Sequence, residues 1–289
     1  MYSLKDKVAV VTGAGSGIGR ALAKLLAQKG CRLALADINE ATLKETAQEL
    51  SAAAPGASAG GILSSSRTPA DVLTQKLDVS NREAVYAFAG QVKQRFGTAH
   101  VVINNAGVSV SQTVNDLSWE DFEWLMGINF WGVAYGTKAF LPMLLGQNEG
   151  TIVNISSVFG IIGVPTQSAY NAAKFAVRGF TEALRHELAE TRVKAISVHP
   201  GGIKTNIARA SRFYRDPVGS TDRAGMAARF ERLARTTPAK AAETIVRGIE
   251  KGSPRVLIGA DAVFIDQIQR MMPERYHVVM NAVLQRMAK

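Results

Sequence analysis

Residues Val8–Ala23 read VAVVTGAGSGIGRALA, an apolar run that passes through glycines into a helical pattern. A short valine-rich run without polar alternation marks a strand covered on both faces. Gly13, Gly17 and Gly19 follow it in the spacing GxxxGxG. Such spacing permits a tight turn, close approach of backbone to a pyrophosphate, and anion binding by the first amides of the helix. It differs from GxGxxG, because Ile18 and Arg20 stand where the last glycine of that fingerprint would fall. Taken alone, the glycines would serve a plain tight loop equally well.

The alternation of apolar runs and helical patterns continues along the chain, which predicts βαβ units and a parallel sheet. The expected strands are Val8–Val11, Arg32–Ala36, Val72–Leu77, Val101–Ile103, Thr151–Ile155, Lys194–Val198 and Arg255–Ile258. The expected helices are Ile18–Gln28, Glu40–Ala53, Arg82–Phe96, Trp119–Leu145, Ser168–Glu190 and Lys240–Glu250. The predicted fold is one doubly wound α/β (Rossmann) domain over residues 1–289, with a seven-stranded parallel sheet flanked by helices. Pro55–Pro69, PGASAGGILSSSRTP, far exceeds the usual helix-to-strand connection of about 2–6 residues and is expected to be a mobile surface insertion.

The 289 residues are 47% hydrophobic and 20% charged, enough to bury a core and too apolar for a disordered chain. A single cysteine, Cys31, excludes an intrachain disulfide. The start MYSLKDKVAVV lacks a secretory signal, and no run of about 18 apolar residues offers a membrane span. These features point to a cytoplasmic protein. The net charge is +10, and nine basic residues against three acidic ones fall between Lys204 and Lys240. No stacking aromatics interleave with them, so no nucleic-acid partner is expected. Arg229, Arg232 and Arg235 recur at helical spacing, as on a solvated helix face. The histidines have no ligand partners at metal spacing, so no metal site is expected.

Asp37 closes the second expected strand, 18 residues after Gly19. A carboxylate there can accept both hydroxyls of an adenosine ribose and would repel a 2′-phosphate, and neither Ser16 nor Ile38 supplies a cation to hold one. NAD is therefore favoured over NADP, unless Asp37 merely caps the next helix. In YNAAK, Tyr170 and Lys174 lie four apart and share a helix face. An ammonium beside a phenol lowers the phenol pKa, which would let Tyr170 exchange a proton with an alcohol or carbonyl.

TGAGSGIG, NNAG (Asn104–Gly107), NISS (Asn154–Ser157), YNAAK and PGG (Pro200–Gly202) occur in this order. With them the chain resembles the short-chain dehydrogenase/reductase family from about Leu4 to Thr205, and more weakly to about Gly259. The resemblance implies an NAD(P)-dependent oxidoreductase with the catalytic set Asn129, Ser157, Tyr170 and Lys174. Asn129 would hold a water in a proton relay, Ser157 would polarise the substrate oxygen, and Lys174 would also bind the nicotinamide ribose. It further implies that Gly13, Ser16, Gly17, Ile18 and Gly19 form the phosphate turn. Asp37 and Ile38 would form the adenosine ribose pocket, and Asp78 and Val79 the adenine pocket. Asn105, Ala106 and Gly107 would pass beneath the cofactor, with Pro200, Gly201, Ile203 and Thr205 beside the nicotinamide. Ser156 fits the serine role less well than Ser157.

The expected activity is hydride transfer between NAD and a secondary alcohol or ketone, apolar or amphipathic, with Tyr170 as general acid and base. The alternatives are an NADPH-dependent ketone or 3-oxoacyl reductase and a catalytically silent nucleotide-binding regulator. Residues 205–237, which mix Phe213, Tyr214, Met226 and Phe230 with the arginines, are expected to cover the substrate, and the arginines could attract an anionic group on it. Residues 260–289 are read as a helical extension in which Tyr276, Val279, Met280, Val283, Leu284 and Met287 form one apolar face. Packing on its own domain or on a sister subunit, in a homodimer or homotetramer, is favoured over contact with a membrane. His199, alone at a strand end, reads as a satisfied structural residue.

Overall fold

Val8, Ala9, Val10 and Val11 have no solvent-exposed surface, because β1 (Val8–Thr12) lies at the middle of a parallel sheet covered on both faces. The computed structural model describes residues 2–52 and 71–280, so the Pro55–Pro69 insertion lies outside the described residues, as do Val283, Leu284 and Met287 of the tail. The other strands of the sheet are β2 (Arg32–Asp37), β3 (Val72–Lys76), β4 (Val101–Asn104), β6 (Gly150–Ile155), β7 (Val193–Pro200) and β9 (Arg255–Ile258). Their order is β3-β2-β1-β4-β6-β7-β9. All seven expected strands are present, in one parallel sheet. A second, two-stranded sheet that was not anticipated joins β5 (Val110–Ser111) to β8 (Arg212–Phe213).

Helices α1 (Gly17–Gln28), α2 (Glu40–Ala52) and α8 (Pro238–Lys251) bury Leu22, Leu26, Leu43, Ile245 and Ile249 against one face of the large sheet. On the other face α3 (Arg82–Phe96), α5 (Gly132–Gly146) and α6 (Ser168–Glu187) bury Phe88, Phe140, Leu144 and Leu184. Between β1 and β4 the chain reverses its direction of travel across the sheet. Such a reversal opens a crevice at the carboxyl ends of the strands, where ligands of open α/β sheets bind.

The helix expected over Trp119–Leu145 is three segments: α4 (Trp119–Met126), a π-helical turn over Gly127–Trp131, and α5. The π turn centres on Asn129, whose Oδ1 accepts from the Val108 amide and whose Nδ2 donates to the Val108 carbonyl, both at 2.8 Å. Gly132 follows, where a Cβ would stand 2.7 Å from Val79 Cγ2. The wider turn thus brings a fully buried amide to the loop after β4.

Beyond β7 the chain forms α7 (Arg223–Leu233), which buries none of its residues, and α9 (Ala260–Met271). The expected solvated arginine face is corrected in two respects. Arg235 lies past the end of α7, and Arg229 is paired within the segment, while Arg232 and Arg235 are exposed as expected. Arg229 pairs with buried Asp216, Arg209 with Glu231, and Arg223 donates to the carbonyls of Arg209 and Ser211. Arg212 lies 3.8 Å from the centroid of the Trp124 ring and 2.6 Å from Asp121, which is 4% exposed. Burial pushes the Asp121 pKa up, but hydrogen bonds from Arg212 and Tyr214 and the Arg212 charge outweigh it and leave it below the usual carboxylate range. Replacing Asp121 with alanine is expected to cost about 1–3 kcal/mol of stability and to speed hydrogen exchange selectively in residues 205–237. Exchange that quickens equally throughout the protein would disprove this local anchoring. Among the described residues no helix is long and apolar enough to cross a membrane.

Candidate active site

At the carboxyl end of β1 the chain turns through Gly13, with φ +66°, into α1. A Cβ on Gly13 would stand 2.9 Å from the Ala106 Cα, and one on Gly19 would stand 2.0 Å from the Gly13 carbonyl oxygen. These contacts leave room only for bare backbone. The turn is braced from β4: Asn105 Nδ2 donates to the Thr12 carbonyl at 2.9 Å, and the amides of Asn105 and Ala106 donate to Thr12 Oγ1. Sequence reasoning missed Thr12, a polar residue that ends an otherwise apolar strand. Ser16 makes no side-chain capping bond to α1, and no acidic residue stands in the helix's first turn. An uncapped helix start beside compact glycines suits an anion.

Asp37 at the end of β2 accepts from the Gly15 amide at 2.8 Å and the Asn39 amide at 2.9 Å. The cap of α2 is Asn39, whose Oδ1 accepts from Ala41 and Thr42, so Asp37 is not that cap. Arg20, the cation beside this corner, donates to the Gly15 and Thr42 carbonyls and pairs with Glu45 and Glu49. Ile38 is exposed, as is Asp78, whose carboxylate accepts from Ser80, while Val79 is buried against Gly132. The stretch Pro200–Thr205 follows β7, with the Gly202 amide donating to Asp261 at 2.6 Å and Thr205 Cγ2 3.1 Å from where a Gly17 Cβ would stand. The residues expected around a dinucleotide therefore lie along one rim, at the ends of β1, β2, β3, β4 and β7.

On that rim β6 ends at Ile155, and Ser157 begins a short 3₁₀ turn, Val158–Gly160, its Oγ accepting from the Phe159 amide. Tyr170 and Lys174 come from the first turns of α6. Tyr170 stands beside the Ser157 hydroxyl, which opposes the rise of its pKa, and its ring meets the Phe159 ring edge-on at 5.9 Å. Lys174 is 3% exposed, donates from Nζ to the Ile155 carbonyl at 3.0 Å, and lies 5.5 Å from the Tyr170 ring centroid. Asn129 approaches from the π turn, and Gly107 lies between it and the lysine: a Cβ there would be 3.3 Å from Asn129 Oδ1 and 3.7 Å from Lys174 Nζ. The neighbouring Ser156 turns away and donates to the Lys174 carbonyl.

One electrostatic expectation is corrected. Burial pushes the Tyr170 phenol up to about 12, against the opposing hydrogen bond from Ser157, and pushes the Lys174 ammonium down to about 8. The spacing Tyr-x-x-x-Lys conveys proximity but not the loss of hydration, and hydration decides the direction. In the protein alone the phenol is a proton donor.

A glycine turn at a switch point, an acidic residue at the next strand end, and a serine, tyrosine and lysine at the crevice mouth define a Rossmann-fold protein with a candidate acid–base site. A sequence profile of the short chain dehydrogenase family matches residues 7–213. The chain belongs to the short-chain dehydrogenase family of oxidoreductases. SadH of Mycobacterium tuberculosis, a protein named as an oxidoreductase, is 47% identical over 279 residues, which cover 96% of this chain and 94% of SadH. A short-chain dehydrogenase/reductase from Burkholderia phymatum, solved in complex with NAD, is 33% identical with a TM-score of 0.81, covering 95% of this chain and 96% of that one. An alcohol dehydrogenase from Thermococcus sibiricus, solved with 5-hydroxy-NADP, is 27% identical with a TM-score of 0.71, covering 88% and 96% of the two chains.

Proposed function

We propose that the protein transfers hydride between NAD and a secondary alcohol or ketone, with Tyr170 as general acid and base. The observation that carries this reading is the Tyr170 ring packed on Phe159, in the turn that Ser157 begins, with Lys174 Nζ 5.5 Å from its centroid, on the rim that also holds the uncapped glycine turn. Bare backbone at Gly13 and Gly19 and the uncapped start of α1 fit the pyrophosphate of a dinucleotide. Asp37 and Ile38 would hold the adenosine ribose, Asp78 and Val79 the adenine. Asn105, Ala106, Gly107, Pro200, Gly201, Ile203, Thr205 and Lys174 would hold the nicotinamide half.

When bound, the nicotinamide accepts hydride from the carbinol carbon or returns it to the carbonyl carbon. Ser157 Oγ hydrogen-bonds the substrate oxygen and stabilises the charge that develops on it. Tyr170 gives its proton to that oxygen in reduction and takes it in oxidation. Its raised pKa suits reduction. Oxidation needs positive charge nearby to bring the phenol down, and the Lys174 ammonium, 5.5 Å from the Tyr170 ring centroid, would supply it. Asn129, across Gly107 from Lys174, would hold a water that carries the proton outward.

The substrate proposed is neutral and apolar or amphipathic. Phe159 packs on Tyr170, Phe213 and Phe230 are partly buried in the covering segment, and pairing of Arg209, Arg212 and Arg229 with carboxylates weakens the basis for attracting an anion. A homodimer or homotetramer in the cytoplasm completes the reading. Tyr276, whose hydroxyl accepts from the Gly163 amide at 3.0 Å, supports packing of the tail on its own chain.

Asp37 and the fully engaged Arg20 favour NAD over NADP. A panel of secondary alcohols and ketones assayed with both cofactors is expected to give a kcat/KM at least about tenfold higher with NAD(H). Replacing Asp37 with alanine should remove most of that difference. A wild-type preference for NADP(H) would overturn the cofactor assignment and favour the reductase alternative.

A further inference from the structure

Among the buried titratable groups, His199 has no part in the chemistry outlined above. It lies on β7, has no exposed surface, and immediately precedes Pro200. Its Nδ1 is 3.1 Å from the Ser157 carbonyl oxygen and its Nε2 is 2.9 Å from Ser197 Oγ. A carbonyl only accepts, so Nδ1 carries the proton and Nε2 accepts from the Ser197 hydroxyl. That is the neutral imidazole, and burial, which pushes His199 down to about 4, keeps it neutral across the working range of an enzyme. The ring therefore has one fixed tautomer and two directed bonds, but no proton to exchange near neutrality.

The partner at Nδ1 belongs to the residue whose side chain meets Tyr170. The turn that Ser157 begins is held to α6 by Ser156, which donates to the Lys174 carbonyl, and by Asn171, which donates to the carbonyls of Phe159 and Ile162. The Ser157 carbonyl also accepts from the Gly160 amide, a bond internal to the turn. His199 ties this carbonyl to β7, the strand that continues into Pro200–Gly201. We infer that His199 is a positioning residue, holding the Ser157 backbone to β7 so that the Ser157 hydroxyl keeps its place between Tyr170 and the nicotinamide side of the crevice. The inference rests on the reading of Ser157 given above. Since displacement by about 1 Å can cost a hundredfold in rate, a loose tether here acts on kcat rather than on cofactor affinity.

Two substitutions of similar bulk separate the two ring nitrogens. The amide nitrogen of asparagine reaches the place of Nδ1, and the amide of glutamine reaches the place of Nε2. With NAD and the best secondary alcohol of the panel, H199N is expected to keep kcat within about threefold. H199Q, which keeps Ser197 but loses the donor to Ser157, is expected to lower kcat about 10- to 100-fold with the NADH dissociation constant unchanged. If His199 acts through Ser157, the double variant S157A/H199Q should turn over like S157A alone. The inference is overturned by wild-type kcat in H199Q, by an equal loss in H199N, or by the same H199Q factor reappearing in the S157A background. Wild-type turnover in S157A itself would instead overturn the reading of Ser157, and the inference with it.

Discussion

Replacing Tyr170 with phenylalanine is expected to lower turnover about 10²- to 10⁴-fold in both directions while leaving NADH binding, read by fluorescence titration, within about twofold. The substitution removes one oxygen. It keeps the ring that packs edge-on against Phe159 and leaves Lys174 with its bond to the Ile155 carbonyl, so the site's frame survives. The wild-type pH profile supplies an independent check. Oxidation consumes the phenolate, whose pKa burial raises, so its rate should climb between pH 7 and pH 10. Reduction consumes the phenol and should show no such climb. The residual oxidation of the phenylalanine variant should lose the pH dependence. Activity within threefold of wild type would remove Tyr170 from the reaction, whatever else the site does.

Replacing Gly19 with alanine is the second large effect. By helix propensity alone this change inside α1 would stabilise the protein by about 1 kcal/mol. The added Cβ, however, would stand 2.0 Å from the Gly13 carbonyl oxygen and 2.7 Å from Asn105 Nδ2, so the turn and its brace from β4 must both move. Crowding of this kind costs about 1–3 kcal/mol, which outweighs the propensity gain. The expected result is a lower melting temperature together with an NADH dissociation constant at least about tenfold higher. Gly90→Ala in α3 is the control, because nothing lies within 4 Å of its Cβ position, and it should stabilise slightly. If Gly19→Ala matched Gly90→Ala in both readouts, the close approach at the glycine turn would not be what the site requires.

The strands of the large sheet were readable because each is buried on both faces, and that burial writes itself into the sequence as continuous apolar residues. The two-residue strands β5 and β8 carry no such pattern. They are joined by the Arg212 and Tyr214 amides, which donate to the carbonyls of Ser109 and Ser111 far earlier in the chain, and no local pattern announces such a partner. The π turn was unreadable for a related reason: Trp119–Leu145 has helical character throughout, and what widens it is the demand of Val108 for both ends of the Asn129 amide. The catalytic candidates were legible as an ordered set of motifs. The charge state of Tyr170 was not, since spacing reports which groups are close and burial decides which form each prefers. The partner of His199, 42 residues away, was hidden likewise.

The π turn also constrains how this helix can change. One residue added between Asn129 and Gly132, and carried through as regular α-helix, would rotate everything upstream by about 100° relative to α5. Asp121 would then swing off Arg212, and Asn129 off Val108, in a single step. The length of that segment is therefore tied to two separate attachments at once, one to Val108 and one to Arg212.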